Sequence, residues 1–90
     1  MNEAKAYQVY VIQNSVRKYY IGQSENVIKR LGQHNQGISE WTRNRGPWLL
    51  IWVSESMTLS EARKLENRLK RHKGGRGFEQ LIGQEKLSGS

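Results

Sequence analysis

Five side chains in this 90-residue sequence are of types that bind anions, hold cations or move protons: Tyr10, Tyr20, Arg30, His34 and Glu66. A phenol both donates and accepts a hydrogen bond, and a guanidinium grips an anion through a planar fork. An imidazole exchanges protons near neutral pH, and a carboxylate binds hard divalent cations. Taken singly, each has an ordinary structural role. A strand tyrosine packs with its hydroxyl wet. A helical arginine or a lone histidine usually faces solvent, and Glu66 has Arg63 and Lys70 as ion-pair partners on its own helix. Arg30 and His34 are four residues apart, so on a helix they project from the same side.

The elements that must position these residues follow from the apolar pattern. Residues 7–13 read as a strand rich in Val, Ile and Tyr, and residues 18–22 as a second, with Asn14 and Ser15 forming the turn between them. Strands this close pair as an antiparallel hairpin, which allows Tyr10 and Tyr20 to open onto one end of a sheet. Gly22 is expected to end the second strand. Ser24 is the expected N-cap of a helix over 25–36, with Val27, Ile28 and Leu31 as its apolar face and Gly37 as its stop. A polar, basic loop over 38–47 contains Trp41, Arg43 and Arg45. The run from Trp48 to Val53 is the most apolar of the chain and reads as a buried central strand, with Trp48 and Trp52 in the core. Thr58-Leu59-Ser60-Glu61 is a capping box, flanked by Met57 and Ala62 as a hydrophobic staple. The helix it opens carries Ala62, Leu65 and Leu69 as a core stripe and ends before Gly74-Gly75. Phe78, Leu81 and Ile82 form a last packing element. The order, strand-strand-helix-strand-helix, predicts an α+β fold: a small, mainly antiparallel three-stranded sheet flanked by helices. The expected organisation is an N-terminal extension over 1–6, one domain over 7–82 and a disordered tail over 83–90.

Charge points to the partner. Fifteen Lys and Arg against eight Asp and Glu give a net +7. Seven of the basic residues, against the single acid Glu66, fall between Arg63 and Arg76. Such a concentration suits phosphate contacts, so nucleic acid is the expected partner. There is no cysteine, hence no disulfide or thiolate metal site. No apolar run has the length of a membrane span and the N-terminal residues lack a signal peptide's apolar middle, so the expected location is the cytoplasm.

In combination, Gln8-Val9-Tyr10, Tyr20-Ile21-Gly22, the Arg30 and His34 pair and Glu66 resemble the GIY-YIG endonuclease family, in particular its small single-domain bacterial members. The second triplet is literal, whereas only the tyrosine of the first one matches. The resemblance runs from Tyr7 to Phe78 and takes in the loop Trp41-Thr42-Arg43-Asn44-Arg45-Gly46-Pro47-Trp48 and the stretch Ser60-Glu61-Ala62 leading to Glu66. It implies a divalent-metal-dependent endonuclease acting on DNA. Glu66 would be the only protein ligand of a Mg2+ ion, with Mn2+ able to substitute. Tyr10 would be the general base, assisted by His34, with Arg30 and the metal lowering its pKa. Tyr20 would orient water or phosphate, and Arg30 would clamp the phosphate oxygens. A further polar residue that some members carry near the end of the domain has no counterpart here.

The basic helix and the aromatic loop are left to hold the substrate. Arg43, Arg45, Lys64, Arg68, Lys70, Arg71, Lys73 and Arg76 are the expected phosphate contacts, and Trp41 either stacks on an unpaired base or packs on its own loop. Phosphate contacts read little sequence, which predicts selection by DNA structure. The alternative is a catalytically inactive nucleic-acid-binding module on the same fold. A protein-interaction domain with incidental charge is a further reading. The first retains DNA affinity without cleavage; the second predicts no special dependence on the named side chains.

Overall fold

The computed structural model describes residues 4–38 and 45–73, together with Gly75, Gly77, Phe78, Gln80 and Ile82. The elements are β1 (Gln8–Gln13), β2 (Tyr19–Ser24), α1 (Val27–Asn35), β3 (Leu49–Val53) and α2 (Leu59–His72). The expected β-β-α-β-α order and three-stranded antiparallel sheet are present, with strand order β2-β1-β3. The loop residues Trp41 and Arg43, Gly74, Arg76, Leu81 and the tail 83–90 lie outside the described residues.

The central strand is β1, not the apolar run at 48–53. β1 has its four middle residues buried because the sheet is covered on both faces. On one face Val9, Val11 and Ile21 pack with Trp52, Ala62, Leu69, Phe78 and Ile82. On the other, Tyr10 and Ile12 pack with Val27 and Trp48, joined by Tyr20, Leu31 and Leu50. β3 is an edge strand whose Leu49, Ile51 and Val53 are exposed. Its continuous apolarity has another cause. The register jumps between Val11 and Ile12, pairing Val11 with Trp52 and Ile12 with Leu50, so Ile51 is an extra residue on β3. In a regular strand Leu50 and Trp52 would share a face. The bulge turns them to opposite faces, so one short strand supplies both cores.

The β1–β2 turn is organised by the buried Asn14. Its Oδ1 accepts from the amides of Val16 and Lys18, its carbonyl accepts from Arg17, and its Nδ2 donates to the carbonyl of Arg45. Arg17 adopts a left-handed φ of 64° to close the turn. The last contact ties the hairpin to the segment entering β3, where Gly46–Pro47 is a cis peptide. Trp48 is fixed beside it: its amide donates to Asn35 Oδ1 and its carbonyl accepts from Asn35 Nδ2.

The start of α1 differs from expectation. β2 continues through Gly22 to Ser24, so Gly22 does not end it. The N-cap is Asn26, whose Oδ1 accepts from the amide of Lys29, while Ser24 Oγ accepts from the amide of Asn26 and shapes the approach. Both side chains are capping types, and the one nearer the first buried helical residue, Val27, takes the cap. Ile28 is exposed, so the buried side of α1 is formed by Val27, Leu31 and His34. Gly37 follows with φ 79° and donates to the carbonyl of His34. α2 forms as expected. Thr58 and Glu61 complete the capping box, and the Thr58 amide and hydroxyl hold the Glu61 carboxyl below the usual carboxylate range. Met57 packs on the cluster that contains Ala62 and Leu69. Truncating a fully buried leucine such as Leu69 to alanine costs about 2–5 kcal/mol.

Candidate active site

Tyr10 sits in the middle of β1 opposite Gly22, and Tyr20 sits opposite Ile12. In antiparallel strands this makes the two tyrosines diagonal neighbours on one face. Their ring centroids are 6.4 Å apart. α1 crosses this same face and lowers His34 onto both rings. The His34 centroid lies 5.9 Å from that of Tyr10 and 4.7 Å, nearly edge-on, from that of Tyr20. The Tyr10 hydroxyl and His34 Nε2 are 2.8 Å apart. Both residues are buried, each with 1% of its surface exposed. The expectation that both tyrosines open onto an end of the sheet is therefore met only by Tyr20, which is half-buried. Tyr10 lies beneath α1, because α1 covers this face of the sheet.

Gly22 makes this geometry possible. A Cβ placed on it would stand 2.6 Å from the Tyr10 oxygen and 2.8 Å from Cζ. The phenol thus lies across the glycine backbone. No other residue type leaves that space.

Arg30, one turn before His34, is half-buried and donates a hydrogen bond to the Tyr10 oxygen. Its Nη1 also donates to Gln33 Oε1 at 2.9 Å, which fixes the fork. Gln33 was not singled out from the sequence, although its three-residue spacing from Arg30 was the available signal. A guanidinium only donates, so the Tyr10 oxygen is an acceptor toward Arg30.

The surroundings of Tyr10 act on its pKa in both directions. Burial is the largest influence and pushes its pKa up to about 12, with Tyr20 adding to the rise. Arg30 acts in the lowering direction, through its hydrogen bond and its charge, and Glu66 acts to raise. Desolvation outweighs the guanidinium, so the phenol is neutral at neutral pH. His34 is lowered to about 4, by burial first and by the Arg30 charge second, and its imidazole is neutral as well.

Glu66 lies on α2, four residues after Ala62 and three before Leu69, both fully buried, so it stands beside the core stripe. Its side chain is 17% exposed and Oε2 is 2.8 Å from Lys70 Nζ. Its field reaches Tyr10 from the opposite layer of the fold. Among the described residues no three His, Cys, Asp or Glu converge. A single, mostly buried carboxylate suits a hard cation that keeps most of its water.

The basic residues of α2 do not share one face. Lys64 and Arg68 line a cavity of about 410 Å³ with Lys5, Glu55, Ser56, Met57, Glu61 and Leu65. Lys70 flanks Glu66, and Lys73 Nζ donates to the Tyr19 carbonyl at 3.5 Å. Arg71 and Arg45 are exposed. A helix turns about 100° per residue, so a basic stretch in sequence becomes a basic ring around the helix. Among the described residues no helix is long and apolar enough to cross a membrane.

The GIY-YIG catalytic-domain family model matches residues 6–79 of the chain. A UPF0213 protein of Listeria monocytogenes serotype 4b is 36% identical over 72 residues, covering 79% of this chain and 81% of that protein. A UPF0213 protein of Halobacterium salinarum is 37% identical over 65 residues, covering 71% and 84%. One of Aeromonas salmonicida is 31% identical over 83 residues, covering 91% of this chain and 60% of that protein. No solved structure matches the chain.

Proposed function

Because the chain belongs to the GIY-YIG catalytic-domain family, which is of nuclease type, we propose that it is a divalent-metal-dependent endonuclease that cleaves DNA phosphodiester bonds and selects by DNA structure rather than sequence. The observation that carries this reading is the convergence on one phenolic oxygen. Tyr10 accepts from Arg30 and lies 2.8 Å from a neutral His34 Nε2.

Burial disfavours a standing phenolate as the base. In this reading the proton moves through the pair. A neutral Tyr10 donates its proton to the Nε2 lone pair of His34 while taking one from the attacking water. The imidazolium that forms is disfavoured by burial and by Arg30, so it carries that proton only transiently, and charge does not accumulate on the buried phenol. Arg30 stabilises the Tyr10 oxygen as its proton leaves and holds a non-bridging phosphate oxygen with its remaining donors. Tyr20, half-buried above His34, orients water or phosphate. Glu66 is the residue that would hold Mg2+ or Mn2+. When bound, the ion neutralises the scissile phosphate and stabilises the leaving oxygen. Lys70, Arg71, Lys73 and Arg45 supply phosphate contacts around this centre, and Lys64 and Arg68 do so from the other flank of α2.

The test is cleavage of labelled DNA duplexes, flaps and branched junctions with Mg2+, with Mn2+ and with chelator. Glu66→Ala and Tyr10→Phe are run alongside. Metal-dependent cleavage by the wild type, lost in both variants, is the expected outcome. Binding by all three proteins with cleavage by none would replace this reading with that of an inactive nucleic-acid-binding module.

A further inference from the structure

We propose that Lys70 is a built-in competitor for the cation site: its ammonium occupies the Glu66 carboxylate and sets how tightly a divalent cation binds there. This rests on the assignment of Glu66 as the metal-holding residue made above.

The argument begins with the unequal burial of the pair. The Lys70 side chain is 52% exposed and the Glu66 side chain 17%. An i,i+4 ion pair between two exposed ends is weak, because water screens both charges. Here the carboxylate is mostly withdrawn from water, and its field extends to the buried Tyr10. A partly desolvated carboxylate gains more from a cation at 2.8 Å than an exposed one does. The order of the two residues, Glu before Lys, is also the favoured one on a helix.

The ammonium and a metal ion then seek the same oxygen. A divalent ion at Oε2 cannot share that position with Nζ at hydrogen-bonding distance. Since Lys70 is half-exposed on a long stem, it can swing outward into solvent without disturbing the core. Its positive charge then lies where it meets phosphate. The pair therefore keeps the carboxylate oriented and compensated before loading, at the expense of metal affinity. Lys70 is a positioning residue, because it acts through Glu66.

The experiment is titration with Mn2+ alone, without nucleic acid, followed by calorimetry and by loss of the free Mn2+ electron paramagnetic resonance signal. The proteins are the wild type, Lys70→Gln, Lys70→Arg, Glu66→Gln and Lys29→Gln. Lys29 is an exposed lysine on α1, so its change removes one unit of charge elsewhere. Lys70→Gln is expected to bind Mn2+ about three- to tenfold more tightly, since tenfold corresponds to one ordinary partly buried charge interaction. Lys70→Arg and Lys29→Gln are expected to stay within about twofold of wild type. Unchanged or weaker binding by Lys70→Gln, with binding lost in Glu66→Gln, overturns the competitor role and leaves the Glu66 assignment standing. An equal gain in Lys29→Gln also overturns it, because the effect is then the protein's general charge. Mn2+ binding that survives Glu66→Gln overturns the assignment of Glu66 itself.

Discussion

Gly22 lies opposite Tyr10 in the β1–β2 hairpin, so close that a methyl group on Gly22 would stand 2.6 Å from the phenolic oxygen. Tyr10 has nowhere to retreat, with 1% of its surface exposed and α1 above it. Gly22→Ala is therefore expected to destabilise the fold by about 1–3 kcal/mol, the range for overpacking a filled core. It should also break the contact between Tyr10 and His34. Thermal denaturation and cleavage kinetics measured together check this. A variant with wild-type stability and rate would mean that the ring is not held against the glycine.

The neutral imidazole of His34 makes stability depend on pH. Its pKa is about 4 in the fold against 6.5 when unfolded. The unfolded chain therefore binds more protons between those values, and the stability contributed by the neutral form, full above 6.5, is lost as pH falls toward 4. The loss is of order 3 kcal/mol, at about 1.4 kcal/mol per unit. Denaturation midpoints across this window, compared with those of His34→Gln, give the result. Parallel curves for the two proteins would remove His34 as the cause.

Tyr10 produces the mirror effect at high pH. Its pKa of about 12 in the fold exceeds the ordinary 10.0, so its contribution is full below 10 and lost as pH rises toward 12. Tyr10→Phe should lack this loss. Ultraviolet titration of phenolate absorbance should show a step near pH 12 that is absent from Tyr10→Phe. A high-pH step that persists unchanged in Tyr10→Phe would contradict the burial argument.

Arg30→Lys is expected to reduce cleavage by about 10²-fold or more, because lysine retains the charge but not the planar fork to which the proposed mechanism assigns the phosphate. Gln33→Ala, which frees Nη1 from its side-chain acceptor, should reduce it less. The catalytic constants of both variants under saturating DNA distinguish these outcomes. Equal rates for Arg30→Lys and wild type would reduce Arg30 to a point charge.

Asn14→Ala removes a side chain that accepts from two amides and donates to the carbonyl of Arg45. Leaving these groups unpaired costs about 1–3 kcal/mol. The release of the segment entering β3 should appear as faster hydrogen exchange at Trp48 than in the wild type. Unchanged exchange there would show that Asn35 alone holds the segment.

The sequence by itself determined the elements. Alternation and turn residues marked the hairpin and the capping box marked α2, because these signals are local, whereas the candidate site rested on the family resemblance that Tyr10, Tyr20-Ile21-Gly22, Arg30, His34 and Glu66 carry in combination. The cap of α1, expected at Ser24, is Asn26 instead, since both residue types cap and the choice follows the first buried position. Tertiary structure decided which strand is central. The apolar run of β3 suits an edge strand only because a bulge at Ile51 divides Leu50 and Trp52 between two cores. It also decided the protonation of the site. That Arg30 acts on Tyr10 was implied by the family resemblance, but the sign of the Tyr10 shift depends on how much water α1 excludes. Desolvation is a property of the packed layers, and no single position in the chain encodes it.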